Sequence, residues 1–250
     1  KMNNLINSRI LKLAAVICLL VFARGVYAQT RNFYNIDTPT AFTADKGAYD
    51  VSLLLYDMGG VEFKALVGLA SFIHLGVSWD VQNAIGKENM MPNIPGVIGR
   101  IKFTDGWESW PISIAAGYDS FFMGWNGLYT KSQNRHNRVI FGPHLIVTKP
   151  IYLFDDEQYI SAGVRTPTQP DYVPNDTSYY LSVDFPLNSA FRLKGELERV
   201  FWNFRKPDEW LYNLGVRYTH MQQFAIEFDF LFSAHERCNR VIRIEYYDHF

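Results

Sequence analysis

Between residues 222 and 232 the chain reads "QQFAIEFDFLF". Phe224, Ile226, Phe228, Phe230 and Phe232 fall on every second position, with Glu227 and Asp229 between them. A strand sends successive side chains to opposite faces, so this segment has one apolar, aromatic face and one that carries carboxylates. The same period of two runs through "GAYDVSLLLYD" (47–57), "VEFKALVGL" (61–69), "FIHLGVSWDV" (72–81), "GVIGRIKFT" (96–104) and "ISIAAGYD" (112–119). It continues in "VIFGPHLIVT" (139–148), "QYISAGVRT" (158–166), "TSYYLSVDF" (177–185), "FRLKGELER" (191–199), "WLYNLGVRY" (210–218) and "RVIRIEYYDHF" (240–250). Pro143 makes 139–148 the least regular of these, because proline cannot donate to a ladder. The pattern predicts about twelve strands, ten remaining an option, and no amphipathic helix. Between the strands fall "MGG", "NMMPNIPG", "DGWESWP", "PTQPDYVPND" and "PLNS", which are turn and loop signals.

The polar faces are charged on almost every strand. They carry Arg100, Lys102, Asp119, Arg165, Asp184, Arg192, Lys194, Glu196, Glu198, Arg217, Glu227, Asp229, Arg243 and Glu245. A soluble sandwich buries its apolar face and exposes the polar one, and its dry core would not accept so many charges on the opposite assignment. Tyr49, Trp79, Tyr118, Trp210, Tyr218 and Tyr246 sit near strand ends, where a membrane barrel places its aromatic girdles. Closing the sheet removes the edges that lipid would leave unsatisfied. The expected fold is therefore all-β: a closed antiparallel transmembrane β-barrel over 47–250 in the bacterial outer membrane. Outward apolar side chains meet lipid, and the fourteen charged residues line the lumen. The connections agree. If the N-terminus is periplasmic, the outward ones are 58–60, 82–95, 120–138, 167–176, 200–209 and 233–239, and these include the three longest. The inward ones, 70–71, 105–111, 149–157, 186–190 and 219–221, are mostly short, although 149–157, and 58–60 on the outward side, fit less well.

Residues 1–28 read as a secretory signal peptide: Arg9 and Lys12 precede "LAAVICLLVFA", and "VYA" ends at Ala28. They hold four of the 24 basic residues and no acid, so 20 basic face 25 acidic groups in the remainder, a net charge of −5. That balance gives no footprint for nucleic acid. Only Cys238 is left after Ala28, so no internal disulfide forms. Past the signal no apolar run is long enough for a membrane helix. Residues 29–46 show no period; they form either a plug in the lumen or a periplasmic segment.

Chemical motifs are few. No "GxSxG" occurs, and the alternation turns Ser52, Ser78, Ser113, Ser161, Ser182, His74, His144 and His249 inward, away from lipid, so a lipid-hydrolase reading has little support. His235 and Cys238 in "HERC" lack a second ligand pair, so neither a metal nor another cofactor is expected. "FFMGWNGLY" and "VFWNFRKPDEW" are aromatic loops suited to interfacial anchoring or to stacking on sugar rings. The facing acids and bases suit either a polar path for small solutes or polysaccharide, or a salt-bridge network that fills and stiffens a structural barrel.

Thr38, Pro39, Thr40, Ala41 and Gly47 in "NIDTPTAFTADKGAYDVSLLLYD" (35–57) carry a family resemblance, joined by "HLGVSWDVQNAIG" (74–86) and "AAGYDS" (115–120). Over residues 35–150 the chain resembles the YjbH-like outer-membrane barrels, which are associated with exopolysaccharide production. The resemblance implies a barrel that is an accessory to polysaccharide export, and it brings no catalytic motif.

Overall fold

The computed structural model describes residues 32–106, 110–123, 138–153, 156–166, 177–200, 209–233 and 238–250. The strands in chain order are β1 (Ala48–Tyr56), β2 (Gly60–Ala70), β3 (Ile73–Gln82), β4 (Met91–Pro92), β5 (Gly96–Asp105), β6 (Ser113–Met123) and β7 (Arg138–Leu153). They continue with β8 (Asp156–Arg165), β9 (Ser178–Pro186), β10 (Phe191–Val200), β11 (Glu209–His220), β12 (Phe224–Ser233) and β13 (Asn239–His249). β4 only extends the end of β3, through Val81 and Gln82. The other twelve pair antiparallel in a ring: β1 joins β2 on one side and β13 on the other, and β2 joins β3. The barrel is closed.

Alternation decides the faces. Phe228, Phe230 and Phe232 are exposed on the outside, while Glu227 and Asp229 between them are buried. Phe228 lies opposite Val216 on β11 and Ile242 on β13, so apolar neighbours continue laterally as a belt. At one end Tyr49 lies 4.8 Å from Phe250, and Phe191 lies 5.0 Å from Tyr218, ring to ring. Trp79 and Trp210 are exposed near the other end. The connections at the Tyr49 end include 71–72, 154–155, 187–190 and 221–223, all short. The opposite end carries 83–95, 124–137, 167–177 and 201–208, the arrangement in which long loops face outside the cell.

The strand expected to be least regular, β7, is the longest, at 16 residues. Its prolines sit where ladders have already ended. The last β7–β8 pair is His144↔Arg165, and one residue beyond it the Pro143 carbonyl accepts from Thr166 N at 3.1 Å. In an antiparallel ladder a residue's N–H and C=O point to the same neighbour, so the missing Pro143 N–H falls past the end of β8. By the same alternation Pro150 faces β6 two residues beyond its first pair, Ser113↔Thr148. Running β7 to Leu153 also reduces the expected 149–157 connection to 154–155.

Residues 32–44 lie inside the barrel. Asn35 N donates to Thr38 O at 2.8 Å and Thr40 N to Phe33 O at 3.0 Å, which makes 33–40 a hairpin with its tip at 35–38. The segment rises from the short-turn end and returns to β1 through Gly47, whose φ is 79°. Its return passes close over Gly68 of β2, where a Cβ would sit 1.9 Å from Asp45 O, so that position admits only glycine. Of the segment 29–46, read from sequence as a plug or a periplasmic piece, residues 32–44 pack among the inward-facing side chains. The proposed signal 1–28, His235 and most of the two aromatic loops lie outside the described residues.

Candidate functional site

The site is the lumen and its plug, and the two halves of the wall differ. On β10–β13, β1 and β2 the inward positions hold a dense ion network. Glu227 accepts from Lys194 Nζ at 2.5 Å, Arg243 Nη1 at 3.3 Å and Arg217 Nη1 at 3.4 Å. Arg217 also makes a bidentate pair with Glu245 at 2.6 and 2.9 Å. Lys64 lies 3.5 Å from Glu62. These charges are out of water, so they persist only because each has partners.

On β3 and β5–β9 small inward residues, Ser78, Ser113, Ala115, Gly117, Thr148, Ser161 and Ser182, alternate with larger ones such as His74, Ile98, Arg100, Ile146, Tyr159 and Tyr180. The plug adds bulk here. Phe42 meets Tyr159 edge-on at 4.7 Å, Phe33 meets His74 edge-on at 5.6 Å, and Ala41 packs with Ala115, Ile146 and Tyr180. Several of the charged residues here form one group. Asp119 accepts from Tyr34 Oη at 2.9 Å and lies 3.4 Å from His144 Nδ1 and 3.8 Å from Arg165 Nη2. Arg165 reaches Glu198 at 3.4 Å and covers the Tyr180 ring. Burial, and then the Asp119 carboxylate, push the Tyr34 phenol well above its ordinary range, so it remains a donor.

The plug touches both walls. Asn32 Nδ2 donates to Asp184, which also binds Arg192 Nε, both at 2.5 Å. Ala41 N donates to Thr148 Oγ1 at 2.8 Å and Ala44 N to His74 Nδ1 at 3.3 Å. Lys194 Nζ donates to Asn35 O at 2.7 Å, and Arg243 donates to Ile36 O. At the tip, Ile36 joins Leu54, Tyr56, Leu211, Leu231 and Val241 in one buried apolar cluster. Between plug and wall one small cavity, lined by Tyr34, Asp50, Lys64, Arg243 and Glu245 among others, has room for about one water.

Of the fourteen charged positions expected to line the lumen, Lys102 stands apart, at the short-turn rim, paired with Asp105 at 2.6 Å. Glu245 is partly buried, and the remaining twelve are buried inside the wall. Asp50, Glu62 and Lys64 are three further buried charges that the same alternation places inward. The plug's polar contributions from Asn32, Tyr34 and Thr38 carried no periodic signal.

The arrangement offers hydrogen-bonding groups and charge along the lumen. Among the described residues neither His74 nor His144 shares a hydrogen bond with a serine, and no three His, Cys, Asp or Glu side chains gather to hold a metal. Cys238 is exposed.

An apolar belt, aromatic rims, a closed ring and a polar interior define an outer-membrane β-barrel. Solved structures share that fold. The KdgM porin in complex with disordered oligogalacturonate superimposes with a TM-score of 0.52 at 13% identity, over 81% of this chain and 99% of the porin. The outer membrane protein Omp33 of Acinetobacter baumannii gives 0.47 at 10% identity, over 81% and 97%. The CymD monoaromatic hydrocarbon channel gives 0.44 at 9%, over 82% and 89%. No family model matches the chain, and no curated protein matches it in sequence.

Proposed function

We propose that this barrel is a small-solute conduit of the outer membrane, closed by its own residues 32–46. The observation that carries the reading is that the stopper, joined to β1 through Gly47, is otherwise held by non-covalent contacts, in a lumen whose lining is polar on both halves. Withdrawal of the hairpin would leave a bore lined by Arg100, Arg165, Lys194, Arg217 and Arg243 alongside the acids. The oligogalacturonate bound by the KdgM porin makes an acidic sugar chain the first solute to try. The resemblance of residues 35–57 to exopolysaccharide-associated barrels supports the same class. Residues 1–28 fit this reading as the export signal.

A structural or partner-binding barrel is the second reading, favoured by the apolar cluster of Leu54, Tyr56, Leu211, Leu231 and Val241 that packs against the tip. Single-channel recording in planar bilayers separates the two. The conduit reading expects few or no steps from the full chain and stable steps once 32–46 are deleted. A folded deletion variant that stays silent would leave the structural barrel standing.

A further inference from the structure

Two wall charges stand out because their compensation comes from the plug. Arg100 is among the largest fully buried side chains of the barrel, and among the described residues it forms no ion pair. Its Nη1 donates to Phe33 O and to Phe42 O, each at 3.0 Å, and its guanidinium covers the Tyr34 ring at 5.1 Å. One nitrogen thus ties together the two arms of the hairpin. Glu196, on the opposite wall, has no cationic partner among the described residues either. Its Oε2 accepts from Ile36 N at 3.2 Å, Asp37 N at 3.0 Å, Thr38 N at 2.9 Å and Thr38 Oγ1 at 2.7 Å. Its other oxygen takes only the Asn213 amide, at 2.8 Å.

Successive backbone N–H groups that converge on one point form an anion-binding nest, and here the anion is a side chain of the wall. The hairpin therefore lies between a cation that meets its carbonyls and an anion that meets its amides. Arg217, by contrast, pairs with another charge of the wall, Glu245. If the hairpin slid out, each of these two charges would exchange its main partners for water, so it is this set of charge-assisted bonds that opposes withdrawal.

We infer that Arg100 and Glu196 are the latch of the plug: they hold 32–46 in the lumen, and neutralising either one releases it. The inference rests on the conduit reading for its purpose, but it is a statement about the position of the hairpin and is tested as one. The reporter is Ala41→Cys, fully buried in the plug, in the full chain with Cys18→Ser and Cys238→Ser. The readout is the rate of maleimide labelling of protein that keeps its folded, heat-modifiable mobility in detergent.

Arg100→Gln and Glu196→Gln should each raise that rate about tenfold or more, because each removes a charge-assisted set of bonds. Thr38→Val, which removes one donor and leaves the wall intact, should raise it less, and it decides the matter if the wall variants do not fold. Arg217→Gln removes a lumen charge that touches no plug atom and should leave the rate near that of the parent. Unchanged labelling in the two latch variants, or in Thr38→Val if that alone folds, would overturn the latch. So would an equal rise in Arg217→Gln. Failure of the conduit reading looks different: the plug becomes accessible while planar bilayers record no conductance.

Discussion

The two halves of the lumen wall solve one problem in opposite ways. On β10–β13, β1 and β2 the interior is filled by the wall's own long side chains, knitted by Lys194, Arg217, Glu227, Arg243 and Glu245. On β3 and β5–β9 small wall residues alternate with larger ones, and Phe33, Phe42 and Ala41 of the plug complete the filling. A twelve-stranded ring is wider than the eight-stranded barrels that side chains alone can fill. The extra volume is taken by a piece of chain, and it is taken on the side where serine, alanine and glycine leave room. The first half should govern whether the barrel stands, and the second, together with Glu196 on β10, whether the plug stays.

The largest effect belongs to the ion network. Glu227→Ala removes the acid shared by Lys194, Arg217 and Arg243 and leaves buried cations short of a partner, a change that costs about 3–5 kcal/mol. Urea unfolding in micelles, followed by heat-modifiable mobility, should show it, with the same loss in a variant lacking 32–46. A loss below about 1 kcal/mol, the range of exposed pairs, would mean that this wall is wetter than its burial suggests.

On the small-residue wall, Ala115→Leu puts three further carbons where Ala41 of the plug packs. Overpacking of this kind costs about 1–3 kcal/mol. The comparison sharpens if the cost is measured twice, because it should fall away when 32–46 are deleted, whereas that of Glu227→Ala should not. An Ala115→Leu penalty that survives the deletion would place the strain in the wall itself.

Most of this contrast was hidden in the sequence for a physical reason. Alternation is a local signal, and it placed strands at 47–57, 96–104, 191–199 and 222–232 close to where β1, β5, β10 and β12 run. It also set Glu227 and Asp229 on the inner face. Pro143 weakened the reading of β7 because a proline's cost depends on where neighbouring ladders stop, and that is fixed by the register with β8. The plug was harder. Thr38 and Glu196 are 158 residues apart, and no periodicity in "NIDTPTAFTADKG" says which carboxylate its amides will meet. Leu54, Leu211 and Leu231 occupy inward positions of their strands, yet only the position of the Ile36 tip shows that they form one cluster.

A smaller effect is expected at the β11–β12 turn, on the ion-paired side. Met221 and Gln222 take φ of 50° and 63°, a left-handed conformation with no glycine to relieve it. Gln222→Gly should stabilise the barrel by about 1 kcal/mol, the order of the left-handed penalty for an ordinary residue. The turn is exposed and touches no plug residue, so labelling of the plug should not change with it. Stabilisation accompanied by a slower labelling rate would show that the two halves are coupled, against the division drawn above.

The smallest effect tests the boundary of the lumen. Lys102 alternates inward by sequence, but its ammonium turns to Asp105 at the rim, and that carboxylate is 61% exposed. An exposed pair is screened by salt and contributes little, typically 0–1 kcal/mol. Lys102→Met should therefore shift the unfolding midpoint only slightly, and the shift should shrink further as salt rises from about 0.01 to 1 M, where the screening length falls from roughly 30 to 3 Å. Arg100 lies two residues away on the same strand and the same face, and differs from Lys102 in having the plug over it. If Lys102→Met cost as much as Glu227→Ala, and did so independently of salt, the buried network would have to extend to the rim. The small-residue wall would then be held by charge as well as by the packing of Phe33 and Phe42.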